Sequence, residues 1–114
     1  MNVSISGRAE ADLVQIYAYL AVHRGVDAAE RFRKSAGMAL DQLGKHPALG
    51  PHPGWATRHT DLHFWVITRS SYLIFYESCG AEVSIERVLD GRRDVRRIIE
   101  SRLEEPPPEE TEPE

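Results

Sequence analysis

The sequence predicts an α+β domain of order β-α-α-β-β-β-α, a helical hairpin laid on one face of a small antiparallel sheet. Three observations lead there. Two successive apolar stripes at helical spacing fill residues 7–43. Three aromatic and β-branched runs joined by tight turns fill residues 62–89. Helices and strands are segregated along the chain, so no β-α-β alternation calls for a parallel doubly wound sheet.

Residues 2–5, Asn-Val-Ser-Ile, alternate and suit a short strand. Ser6 stands where a helix N-cap belongs, with Glu10 and Asp12 near the positive end of the helix dipole. Leu13, Ile16, Tyr17 and Leu20 then follow the spacing of one buried face, and Gly25 ends the helix. Asp27 is expected to cap a second helix, whose stripe is Ala29, Phe32, Ala36, Ala39, Leu40 and Leu43. Gly37 inside it suggests close helix–helix approach, and Gly44 with Pro47 stops it. Residues 47–61 hold three prolines and two glycines and read as a loop. Strands follow at 62–67, 72–76 and 83–89, an antiparallel meander turning at Ser70-Ser71 and Cys79-Gly80. Asp94 caps a last short helix carrying Val95, Ile98, Ile99 and Leu103. Phe32, Leu40, Phe75 and Val88 are expected to pack hairpin against sheet.

With 114 residues the chain fits one domain, set here at 1–103. The remainder, 104–114, holds six acids, four prolines and no base, and is expected to be a disordered acidic tail. Removing it leaves 14 bases against 12 acids, so the domain is mildly basic although the chain carries −4. No apolar run approaches the ~20 residues of a membrane span, and the opening residues do not resemble a secretory signal. Cys79 is the single cysteine, which excludes an internal disulfide and a multi-cysteine zinc site. A reducing cytoplasm is the expected setting. No phosphate-binding glycine motif, zinc-protease histidine pair or nucleophile-elbow serine is present, so no metal or cofactor is expected.

Arginine is the conspicuous residue: twelve, against two lysines. Six lie within residues 87–102 (Arg87, Arg92, Arg93, Arg96, Arg97 and Arg102), while Arg58 and Arg69 flank the first meander strand. The planar guanidinium fork suits bidentate recognition of phosphate or carboxylate. The competing reading is a surface salt-bridge network with Asp90, Asp94 and Glu100.

A-E-A-D-L at 9–13, A-A-E-R-F at 28–32, H-P-A-L-G at 46–50, Y-L-I-F-Y at 72–76 and R-V-L-D-G-R-R-D at 87–94 run in one order over residues 3–99. Together they resemble the RelE/ParE superfamily of toxins, on the ParE side. The resemblance implies the toxin of a bacterial type II toxin–antitoxin pair, held in a hetero-oligomer by a cognate antitoxin. On the ParE side it implies inhibition of DNA gyrase by binding, without catalysis. On the RelE side it implies cleavage of messenger RNA on the ribosome, and a third alternative is a non-toxic member kept as a regulator. RNA cleavage needs a group that activates the 2′-hydroxyl, a cation for the phosphorane-like charge and an acid for the leaving oxygen. Here residues 62–68 contain no Lys or Arg, and no aromatic residue or histidine follows Tyr76. Tyr76, His59 and His63 are the remaining candidates for proton transfer. The expected target-binding residues are Arg87, Arg92, Arg93 and Arg69, and those expected to meet acids of the antitoxin are Arg58, Arg92 and Arg93. Arg87 is expected on the open face or rim of the sheet, or paired with Glu77 or Glu86.

Overall fold

A computed structural model describes residues 2–104 of the chain. Strand β1 (Asn2–Ile5) leads into helices α1 (Gly7–Arg24) and α2 (Val26–Lys45). The meander β2 (Leu62–Val66), β3 (Tyr72–Cys79) and β4 (Glu82–Asp90) follows, then α3 (Val95–Glu104). The expected tail lies outside the described residues except for Glu104, which closes α3.

Strand order is β1-β4-β3-β2, antiparallel within the meander, with β1 parallel to β4 in the register Asn2↔Glu82 to Ile5↔Ile85. The sheet is therefore mixed, a correction to the expected antiparallel one. The hairpin α1–α2 and the first two meander strands separate β1 from β4, a connection long enough for a parallel pair. Alternation in a four-residue strand carries no information about pairing direction.

Local signals explain most boundaries. The Ser6 hydroxyl accepts the Ala9 N–H at 3.0 Å, as its capping position implies. Gly25, at φ 97°, forms the link between the two helices, a conformation that L side chains disfavour. It also stands at the N-cap of α2, which has no side-chain cap; Asp27 falls one residue inside the first turn rather than at the cap. Gly37 is exposed, and a β-carbon there would meet nothing within 4 Å, so close helix packing does not require it. The Asp94 carboxylate accepts the Arg97 N–H at 3.3 Å and caps α3.

Two cores result. Under the hairpin lie Leu20, Ala29, Phe32, Ala36, Ala39, Leu43, Ile74, Tyr76, Val83, Ile85 and Val88, with Leu40 half-buried against them. On the opposite face Leu62, Phe75 and Leu89 pack with Ile99 of α3 and Ala56 of the loop. Phe75 is thus buried as expected but beneath α3 and Trp55 instead of the hairpin. A bulge decides this geometry. Phe75 pairs with Arg87 and Tyr76 with Ile85, leaving Glu86 as the extra residue of β4.

Candidate functional site: an arginine rim at one end of the sheet

The β2–β3 turn and the β4–α3 turn are fastened together. Ser70 Oγ donates to the Ile67 carbonyl at 2.8 Å and accepts the Tyr72 N–H at 3.1 Å, while Arg69 takes a positive φ of 61°. The Gly91 N–H donates to the Ser71 carbonyl at 2.7 Å, and a β-carbon on Gly91 would come within 3.1 Å of that oxygen. Glycine is what allows the second turn to lie against the first. The result places Arg69, Arg92 and Arg93, all exposed, at one end of the sheet.

Arg92 is held by Asp90. Its backbone N–H donates to Asp90 Oδ1 at 3.0 Å and its guanidinium to Oδ2 at 2.7 Å. The Arg92 hydrogen bond holds the Asp90 carboxyl well below the usual carboxylate range. The Arg92 side chain still shows 72% of its surface to solvent, so part of its fork stays open to a partner. The Arg93 and Arg69 side chains meet no carboxylate among the described residues.

Arg87 is differently placed. Its Nε and Nη2 donate to the two carboxylate oxygens of Asp12 at 2.8 and 3.0 Å. Asp12 Oδ2 also accepts the Val88 N–H at 2.9 Å. β1 ends opposite Ile85, so beyond that point β4 has lost its neighbour, and Asp12 of α1 takes over its free N–H. The Arg87 partner is therefore Asp12, not Glu77 or Glu86. With side-chain exposures of 14% and 12%, the pair clips α1 to β4 behind the rim. Asp12 was visible in the sequence only as an acid near a helix start.

Of the groups considered for proton transfer, Tyr76 and His63 are engaged in structural contacts. Tyr76 is fully buried, its hydroxyl accepts the Gly50 N–H at 2.8 Å, and burial raises its pKa. His63 stacks on Tyr76 with ring centroids 5.3 Å apart, and its Nδ1 lies 2.8 Å from the Gly50 carbonyl. Phe64 N–H donates to the Pro51 carbonyl at 3.0 Å, and His52 Nδ1 lies 2.9 Å from the Leu62 carbonyl. These contacts lay residues 50–52 along β2, an edge strand of the sheet. His59 Nε2 is buried without a hydrogen-bond partner among the described residues. Arg58 belongs to this loop, next to His59, whose carbonyl accepts the Leu62 N–H at 3.1 Å at the start of β2, whereas Arg69 follows the end of that strand. Among the described residues no three His, Cys, Asp or Glu side chains group as a metal site, and no helix is long and apolar enough to cross a membrane.

A helical hairpin on a mixed four-stranded sheet, with a cationic rim at one end, defines a small α+β domain. The family model described as the ParE toxin of the type II toxin–antitoxin system parDE matches residues 3–95, and the chain belongs to that family. The fold is similar to that of a solved chain of the chromosomal ParDE toxin–antitoxin system from P. aeruginosa, at 19% identity and a TM-score of 0.65. The match covers 77% of this chain and 92% of that one. No curated protein matches the sequence.

Proposed function

We propose that this ParE-family toxin inhibits DNA gyrase by binding it through the arginine rim, without catalysis, in the cytoplasm, and is neutralised by a cognate antitoxin. The observation that carries the choice over RNA cleavage is the commitment of the relevant groups. The Arg87 guanidinium is spent on Asp12, and the Tyr76 hydroxyl is buried against Gly50. Neither is free to stabilise a phosphorane or carry a proton. Arg69, Arg92 and Arg93 are the proposed target contacts, with Arg87 supporting them from behind by holding α1 on β4.

The antitoxin's acids would engage Arg92 and Arg93, exposed charges suited to steering a partner. A segment that also reached Arg58 would have to run the length of β2. Inhibition of supercoiling by purified gyrase, with no effect on translation and no RNA cleavage, is the expected result. RNA cleavage would refute the proposal in favour of the RelE-like activity, and inactivity in both assays would leave a regulator.

A further inference from the structure

The rim does not stop at the two turns. The last turns of α1 bring Tyr19, His23 and Arg24 to the same end of the molecule, through Tyr72. Tyr72 opens β3, pairs with Asp90 in register and meets Phe32 edge-on at 5.2 Å. Burial raises the Tyr72 pKa, and its hydroxyl lies within electrostatic reach of Asp90, Arg92, Tyr19 and Arg24. Tyr19 is 55% exposed, and its ring packs on the imidazole of His23 at 4.3 Å between centroids. His23 and Arg24 are exposed as well. Asp90 is engaged by Arg92 and Asp94 caps α3, while Asp27, three residues beyond Arg24, is exposed. An open ring pair thus stands on the last turns of α1 next to Arg24, with Tyr19 within electrostatic reach of Arg92, which Arg93 follows in the chain.

We propose that this rim binds single-stranded nucleic acid, with unpaired bases stacked on Tyr19 and His23 and phosphates held by Arg24, Arg92 and Arg93. Rings beside cations suit this ligand, because every base has a π-face and every nucleotide a phosphate. Duplex DNA offers the phosphates but keeps its bases stacked inside. An acidic peptide would use the arginines and leave the rings idle. The inference shares Arg92 and Arg93 with the proposed gyrase contact, but its test contains no gyrase, so either can fail without the other.

The full-length protein is titrated into labelled oligo-dT, oligo-rU and a duplex, each about 15 nucleotides long, and binding is followed by fluorescence anisotropy at several salt concentrations. Both single strands should bind more tightly than the duplex, and a preference between them would name DNA or RNA as the natural source. Tyr19→Ala should weaken binding about tenfold with the salt slope unchanged, and Tyr19→Phe should retain it. Arg24→Glu and Arg93→Glu should each weaken binding and flatten the salt slope, by about one counterion for a lost phosphate contact. Lys45→Glu, at the far end of α2, should bind like wild type. Urea midpoints of the variants confirm that the fold is kept. Equal affinity for duplex and single strand, no effect of Tyr19→Ala, or displacement by polyglutamate as readily as by unlabelled oligonucleotide would overturn the proposal.

Discussion

Removing the Asp12 carboxylate should destabilise the domain by about 4 kcal/mol. Three hydrogen bonds converge on that group: two from Arg87, at 2.8 and 3.0 Å, and one from the Val88 N–H at 2.9 Å. An exposed ion pair contributes about 0–1 kcal/mol, whereas breaking a buried one costs about 3–5 kcal/mol by stranding the other charge. With 12% and 14% of the two side chains exposed, Arg87 can recover part of its hydration, which puts the pair near the lower end of the buried range. An unpaired Val88 N–H adds about 1–3 kcal/mol. Alanine returns about 0.5 kcal/mol through better helix propensity. For a urea slope of about 1.5 kcal/mol per molar, Asp12→Ala should lower the unfolding midpoint by about 2.7 M. Glu10→Ala, exposed on the same helix, should shift it by less than about 0.5 M. In a double-mutant cycle with Arg87→Met, the second substitution should cost much less once Asp12 is gone. A loss below about 1 kcal/mol for Asp12→Ala would refute the clip as a stabilising element. It would also free Arg87 to be a target contact in its own right.

Phe75, 1% exposed between Trp55, Phe64 and α3, should cost about 3–5 kcal/mol on truncation to alanine, read from a denaturant titration. Gly50→Ala should disturb the loop, because the added carbon would fall 2.1 Å from the Phe64 carbonyl oxygen. Loss of His63 and Tyr76 ring-current shifts in the NMR spectrum would report it. The Asp90 pKa is depressed in the folded state, so its contribution is present above the ordinary value of 3.8 and is lost as pH falls through the folded one. Asp90→Asn should accordingly lower stability at neutral pH and flatten its loss in acid. Glu86 has the opposite sign: burial first, then Glu77, raises its pKa. Its ionisation therefore costs stability as pH rises through the folded value. Glu86→Gln should raise the urea midpoint at pH 7, with the gain vanishing below about pH 4.5.

What the sequence revealed and what it hid divide along the range of the interaction involved. The Ser6 cap, the apolar stripes, the Gly25 link and the Asp94 cap are local, fixed by residues within a turn of one another, and local patterns announce them. The parallel pairing of β1 with β4 joins residues about eighty apart, and nothing in four alternating residues records it. The partner of Arg87 was hidden for a related reason. Strand alternation puts Arg87 and Leu89 on one side and Val88 on the other, and Val88 and Leu89 do fall in opposite cores. The alternation breaks at Glu86, however, where the bulge puts Ile85 and Val88, three residues apart, in the same core. Immediately beyond it, with β1 ended, Asp12 closes over the exposed backbone of β4 and takes the Arg87 guanidinium. The rim arginines were legible as a cluster because they follow one another in sequence around Gly91. Their extension to Tyr19, His23 and Arg24 was not, since it depends on where α1 ends above Tyr72. A linear reading therefore overestimates Arg87 as a surface charge and overlooks the last turns of α1, and both errors follow from how α1 lies across β4. Charge reversal at Arg24 should thus be felt at the rim although it lies 68 residues from Arg92 in the sequence, whereas reversal at Arg58, closer in sequence to Arg69, should not.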